Sequence, residues 1–378
     1  MKTACYPFSA IVGQGLMKTA LLLNAIDHSL GGVLIRGHQG TGKSTAARAL
    51  ARLLPELEVV AGCMFHCDPE LSDQSCEHCS ARRAAGGKLL RAQAPMPLVD
   101  LPPNASEARL IGELREGGEL PSAERRFDPG LLAEANRGIL FVDEVNLLDD
   151  HLVGPLLDVA ASGVNVVERA GVSFSHPSRF ILVGSMNPDE GELRSRLLDR
   201  FALCVSVEGL PDHLQRKQLV RRRLAFEADP KAFCRGFSPA DSELSHRIAR
   251  AREALGEVAV PIEVLELAVL LATELGARGH RAEIIMIKAA RALAAFSGRQ
   301  QVERADINAV GPLVLLHRLP GAPQQAPQEL LARVEAAIQR LAPGEPTVQV
   351  LLPADEEFDE LTDRIQLPGS VFARLEKK

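Results

Sequence analysis

Residues 37–44 read GHQGTGKS, and the apolar run Val33, Leu34, Ile35 leads straight into them. The spacing G-x-x-x-x-G-K-[ST] dictates a local structure before any function is considered. A buried strand delivers the chain to a glycine-rich turn, and the turn opens a helix over about Lys43 to Leu54, which Pro55 ends. Gly40 and Gly42 have no Cβ, so their amides can come close to phosphate oxygens. The helix N-terminus adds its partial positive charge. From this turn the Lys43 ammonium reaches β- and γ-phosphates, and the Ser44 hydroxyl can ligate magnesium. Gly37 and Thr41 complete the loop, and Thr45 lies in the first helical turn.

A second element strengthens the phosphate reading. Residues 138–144 read GILFVDE, an apolar run closed by two carboxylates. A continuous apolar run is what a strand covered on both faces requires. Asp143 at its end suits a magnesium ion held through water, and Glu144 suits a base that orients an attacking water. Alone, the first motif could be an ordinary glycine-rich loop and the second a strand end with solvated acids. Together in one chain they favour a nucleotide site.

Composition narrows the partners. At 378 residues the chain is long enough for more than one domain. Charged residues make up 24% and hydrophobic ones 46%, the balance of an ordinary globular protein. The net charge of −6, with one Tyr, no Trp and no dense basic block, argues against a nucleic-acid surface. The triple Arg221–Arg222–Arg223 reads as the solvated face of a helix. No apolar stretch reaches the length of a membrane span. The opening residues MKTACYPFSA are too polar and short for a signal peptide, so the expected location is cytoplasmic and reducing.

Along the chain, strand-like and helical patterns alternate as far as about residue 210. A helix is expected over Met17 to Leu30. Residues 62–130 read as long and irregular, with Pro95, Pro97, Pro102 and Pro103. A helix over Asp149 to Ala161 follows. Residues 163–176 form two strand-like runs around Arg169–Ala170–Gly171, a hairpin pattern. Phe180 to Ser185 and Leu203 to Val207 read as further strands. Beyond Pro211 the periodicity is helical, near 212–226, 241–255, 261–275, 281–297 and 303–316. This order predicts an α/β domain over 1–210, with a Cys-rich insertion at about 62–80, and an all-helical lid over 211–318. A linker and C-terminal extension occupy 319–378, with one helix from Gln328 to Leu341, an acidic piece at Asp355 to Asp359 and a basic end.

Three further residues suit a nucleotide machine. Asn187 ends the third apolar strand, where an amide can hydrogen-bond both a lytic water and a γ-phosphate; before Pro188 it is equally a turn residue. Arg200 follows the helical RSRLLD. A guanidinium there can reach a neighbouring subunit and bind phosphate bidentately, or it makes a surface salt bridge. Arg194 and Arg196 are its rivals. Arg281 starts a lid helix, from which it could reach the γ-phosphate or simply face solvent.

The order of these parts resembles the AAA+ ATPases, and more narrowly the small ATPase (I) subunit of magnesium chelatase and its cobalt-chelatase relatives. The resemblance runs from about Tyr6 to Arg318. It is carried by YPFSAIVGQ, GGVLIRGHQGTGKSTAARALARLLPE, LVDLPPNASEARLIG, FDPGLLAEANRGILFVDEVNLLDDHLV, SGVNVVERAGVSFSHPSRFILVGSMNPDEGELRSRLLDRFAL and LLHRL. It implies a P-loop AAA+ parallel-sheet core with helices on both faces, followed by the helical lid. It implies ATP and Mg2+ as cofactors, Lys43 and Ser44 at phosphate and metal, and Asp143 and Glu144 as metal-holding and catalytic acids. Asn187 becomes sensor 1, Arg200 the arginine finger and Arg281 sensor 2, with Ile11 and Val12 near the adenine. It also implies a homo-oligomeric ring, a hexamer, working with a larger AAA+/integrin-like chelatase subunit and a porphyrin- or corrin-binding catalytic subunit. The activity expected is that of the ATP-hydrolysing motor of a tetrapyrrole metal chelatase, inserting magnesium or cobalt. The alternative is a MoxR-like chaperone that remodels or metallates a partner protein.

The cysteine pattern stands outside that resemblance. Cys63-x3-Cys67-x8-Cys76-x2-Cys79 packs thiol pairs around a short loop, with His66 and His78 interleaved. Structural zinc is the favoured reading, with an iron–sulfur cluster or unligated thiols as alternatives. Cys5, Cys204 and Cys234 read as isolated packing residues.

Overall fold

The structure, a computed structural model, describes residues 4–115, 126–169, 172–191, 193, 195–277, 279–322 and 325–342. The expected acidic and basic end of the chain, the tip of the 163–176 hairpin, part of the glycine-rich IGELREGGEL stretch and Arg194 lie outside these. By chain contacts the protein falls into two compact units. One holds residues 28–38 and 55–204, and the other holds 1–27, 39–54 and 205–378.

In chain order the strands are β1 (Val33–Arg36), β2 (Leu57–Val60), β3 (Arg91–Ala94), β4 (Leu98–Leu101), β5 (Gly112–Arg115) and β6 (Arg126–Pro129). They continue as β7 (Ile139–Val142), β8 (Val164–Arg169), β9 (Val172–Pro177), β10 (Ile181–Met186) and β11 (Leu203–Ser206). The helices begin with α1 (Gly15–Ile26), α2 (Lys43–Leu53), α3 (Glu77–Ala84), α4 (Glu107–Ile111), α5 (Leu131–Glu134), α6 (Asp150–Ser162) and α7 (Ser195–Leu198). After them come α8 (His213–Ala228), α9 (Pro230–Ala254), α10 (Ile262–Glu274), α11 (Arg281–Phe296), α12 (Arg304–Leu315) and α13 (Pro327–Leu341).

The first unit is built on a sheet of order β11-β1-β10-β7-β4. β10 lies between β1 and β7, parallel to both, and β7 is also parallel to β4. Ile139 to Val142 and Ile181 to Met186 are buried at every position, as an apolar run without alternation requires. Leu140, Val142 and Leu182 join Leu152 and Leu156 of α6 in one core with Phe201. Each such side chain contributes about 1.5–3 kcal/mol by leaving water. Hairpins β2–β3, β5–β6 and β8–β9 are added to this frame.

Residues 62–130, expected to be irregular, contain the central-sheet strand β4. Pro97 and Pro102 flank it and hid it in the sequence. Its place at the end of the sheet explains why prolines are tolerated beside it.

The second unit is helical. Asp229 accepts from the amides of Lys231 and Ala232, and Pro230 fits the first helical position. Helix α9 therefore starts at Pro230 rather than near 241, and it runs through Pro239. Helix α1 is buried from Met17 to Ile26 and packs on α9 and α11, while α2 packs on α9. The unit thus recruits residues from the first part of the chain, and a cut at residue 210 does not follow its packing. Helix α13 packs on α10 and α12, so the helical body continues past residue 318. Arg222 is fully buried, not solvated. It donates to the Ala10 carbonyl (3.2 Å) and lies over the Phe237 ring. Tyr6, Phe226 and Phe233 pack edge-on and tilted against one another, so the middle arginine of the triple holds the 6–12 segment.

Candidate nucleotide site

Within the sheet unit, the C-terminal ends of β1, β7 and β10 carry the polar residues. β1 ends at Arg36, and the Gly37 amide donates to the Met186 carbonyl (3.0 Å). The glycine-rich loop therefore leaves the sheet beside the end of β10. His38 Nδ1 lies 2.8 Å from Asp189 Oδ2, which ties the start of that loop to the turn after Asn187.

Asp143 and Glu144 follow β7. The buried Ser185 hydroxyl of β10 donates to Asp143 Oδ1, and its oxygen accepts from the Glu144 amide (3.1 Å). Glu144 sits at φ 52°, ψ 54°, a left-handed conformation that disfavours a residue with a Cβ. Strain of this kind costs of order 1–3 kcal/mol and persists where surrounding bonds over-determine it, commonly at functional sites. Asn187 is buried. Its Oδ1 accepts from the Asp189 amide, and its Nδ2 donates to Glu190 Oε1 (3.3 Å each). The amide thus forms the turn before reaching any other partner. Arg200 is half-buried just after α7, and Phe201 beside it is packed over Gly184.

Within the helical unit, Gly42 is the N-cap of α2 and supplies no side-chain acceptor to the first turn, which holds Lys43, Ser44 and Thr45. Gly40 and Gly42 have φ of 81° and 85°, and nothing lies within 4 Å of where a Cβ would stand on either. An open, glycine-lined loop feeding a helix without a side-chain cap fits an anionic phosphate chain. Lys43, Ser44 and Thr45 are half-buried. Ile11 is half-buried and Val12 buried, with Lys18 Nζ donating to the Ile11 carbonyl (3.1 Å). Arg281 is exposed at the first position of α11.

The four clustered cysteines come together in the sheet unit, with every Sγ within 4.8 Å of the others. Cys204 is buried as expected. Cys5 and Cys234 are half-buried and not isolated, since the Cys234 thiol points to the Cys5 carbonyl (3.4 Å). Sequence reasoning missed Ser185 and the His38–Asp189 contact. Ser185 looked like one more small residue in an apolar strand. Asp189 had no visible partner, because the pairing joins residues far apart in the chain.

Comparison with known proteins adds lineage to this geometry. The family described as magnesium chelatase, subunit ChlI, matches residues 7–196, and the AAA lid domain matches residues 265–341. The magnesium-chelatase 38 kDa subunit of Acidiphilium rubrum is 50% identical over 340 residues, covering 89% of this chain and 97% of that protein. A magnesium-chelatase subunit ChlI homolog from Methanocaldococcus jannaschii is 47% identical over 333 residues, 88% of this chain and 90% of its own length. Among solved structures, a cryo-EM complex between subunits BchI and BchD of magnesium chelatase contains a chain with 46% identity and a TM-score of 0.50. That match covers 84% of this chain and 97% of the other. The fold is therefore a P-loop AAA+ α/β core with a helical lid, and the chain belongs to the magnesium chelatase ChlI subunit family.

Proposed function

We propose that the chain is the ATP-hydrolysing motor subunit of a magnesium chelatase. The observation that carries the reading is the Ser185 hydroxyl gripping Asp143 and the Glu144 backbone at the end of β7, from strand β10, which itself pairs with the β1 strand that leads into the Gly37 loop. Gly37, Gly40, Thr41, Gly42, Lys43 and Thr45 would hold the phosphates of ATP. Ser44 and Asp143 would hold Mg2+, which supplies positive charge against the transferred phosphoryl group. Glu144 accepts the proton of the attacking water and orients it, while Asn187 positions that water. Ile11 and Val12 flank the base.

Arg200 acts as a finger toward the site of an adjacent copy in a hexameric ring, and Arg281 couples the lid to nucleotide state. The larger partner expected is an AAA+/integrin-like subunit, a reading supported by the BchI–BchD complex among the matches. The porphyrin-binding subunit would perform the insertion itself. Magnesium is preferred to cobalt as the inserted ion because the curated relatives carry that name. Among the described residues no helix is long and apolar enough to cross a membrane.

The test is phosphate release by the purified chain with Mg-ATP, alone and with its partner subunits, followed by metal insertion into a porphyrin. Phosphate release that survives Glu144→Gln unchanged overturns the motor reading. Hydrolysis without any effect on porphyrin metallation in the reconstituted mixture overturns the chelatase assignment alone.

A further inference from the structure

We infer that Cys63, Cys67, Cys76 and Cys79 form a tetrathiolate site for a single zinc ion, which locks an aromatic platform shared by the added hairpins. The inference is independent of the nucleotide chemistry.

The sulfur geometry selects the occupant. All four Sγ atoms lie within 4.8 Å of one another, and Cys63 Sγ is 3.9 Å from Cys76 Sγ. Zn–S bonds of about 2.3 Å in a tetrahedron put neighbouring sulfurs about 3.8 Å apart. A disulfide requires about 2.05 Å between sulfurs, and all four cysteines are free thiols. An iron–sulfur cluster binds its thiolates to separate irons and spreads them across the cluster. The observed spacing is that of one ion. His66 and His78 are not members of the group, so the donor set is four sulfurs rather than a mixed one. Soft thiolates in a tetrahedral set select zinc over the oxygen-preferring magnesium that the rest of the chain handles.

The surroundings are built for such a site. Cys67, Cys76 and Cys79 are buried and Cys63 half-buried. The Cys76 amide donates to Cys67 Sγ (3.2 Å), which ties the start of α3 to the turn after β2. Ligands come from the turn after β2 and from the start of α3, two pieces joined by a loop with little apolar content. Asn136 Nδ2 donates to the Phe65 carbonyl (2.6 Å). Arg137 donates to the carbonyls of Glu58 (2.7 Å) and His66 (3.2 Å) and pairs with Asp68 (2.7 Å). The knuckle is thereby fastened to the residues immediately before β7.

Phe65 lies between two of the ligands in sequence, and its ring tells what the ion holds in place. It stacks on His176 of β9 (4.8 Å between centroids), and Phe127 of β6 stacks on Phe174 of β9 (4.2 Å). Phe65 is also 6.3 Å from Phe127. Hairpins β5–β6 and β8–β9 share this aromatic layer with the cysteine knuckle. Metal at the sulfurs fixes the Phe65 backbone and, through the rings, the roots of both hairpins.

Full-length chain, purified without a metal-binding tag from zinc-supplemented cells, is expected to carry one zinc per chain by elemental analysis. The double variant Cys76→Ser, Cys79→Ser should carry none. To cover misfolding of that variant, the native chain is titrated with a mercurial thiol reagent, which should release the zinc stoichiometrically. Amide exchange at 127–128 and 173–176 should then rise, while exchange in α10 to α12 stays as it was. Reconstitution with Co2+ should give the sulfur-to-cobalt charge-transfer bands of a tetrahedral tetrathiolate. A chain free of zinc, zinc retained by the double variant, or iron with acid-labile sulfide would each overturn the zinc site. Zinc release without a change in hairpin exchange would overturn the platform role.

Discussion

The Ser185 hydroxyl donates to the Asp143 carboxylate across neighbouring strands, and its oxygen accepts the Glu144 amide. One buried side chain thus orients one acidic residue and holds the backbone of the next in a left-handed turn. Ser185→Ala leaves the Glu144 amide without this acceptor and lets the Asp143 carboxylate rotate. The Glu144 amide is half-buried, so orphaning it costs at most the low end of the about 1–3 kcal/mol of a buried donor. The expected outcome is a lower midpoint in denaturant together with weaker phosphate release. A variant matching the native chain in both would show that this hydroxyl is not what aims the two acids.

Glu144→Gln keeps side-chain size and the left-handed backbone but removes the proton acceptor. Phosphate release should fall by about a hundredfold or more, the usual contribution of a positioned base. Thermal unfolding and ATP binding, followed with a fluorescent nucleotide, should stay close to the native values. A loss of stability instead of activity would assign Glu144 a structural part only.

Gly184 permits the ring of Phe201 to sit against β10. A Cβ added there would meet Phe201 Cζ at 2.7 Å and Cε1 at 3.1 Å. Gly184→Ala should destabilise by about 1–3 kcal/mol, the range for overpacking a core. It should also move the adjacent Arg200 and lower any hydrolysis that depends on copies meeting. Pairing it with Phe201→Leu, which frees space at the ring edge, should recover part of the stability in urea unfolding.

Asp241 of α9 is half-buried, and its carboxylate accepts from the Ser9 amide (2.9 Å). Burial holds its pKa above the usual carboxylate range, although the bonds from Ser9 and Phe8 pull the other way. The thiols of Cys5 and Cys234 feel the same charge. With the folded value above the unfolded one, the folded state binds the proton more readily. This residue's contribution therefore becomes more favourable as pH falls from neutral toward the ordinary carboxylate value of about 4, and is constant below it. Asp241→Asn, which retains an acceptor oxygen without the charge, should raise the melting temperature at neutral pH and leave it little changed in acid. An equal drop at both pH values would mean that the carboxylate itself is needed.

The sequence by itself determined the strand–loop–helix at residues 33–53, the acidic strand end at 143–144, the buried β10 and the helical second half. Each is a local pattern: an unbroken apolar run, a glycine pair before a helix, or a period of 3.6 residues. The cysteine set was legible too, because its four thiols fall within a short stretch of sequence. Only the tertiary structure decided the rest, because it depends on residues far apart in the chain. Ser185 serves Asp143 from a neighbouring strand, Arg222 is buried between the Ala10 carbonyl and the Phe237 ring, and β4 belongs to the central sheet despite its prolines. Helices α1 and α2 pack with the later helices, since a helix buried nearly all round must find partners wherever the chain brings them.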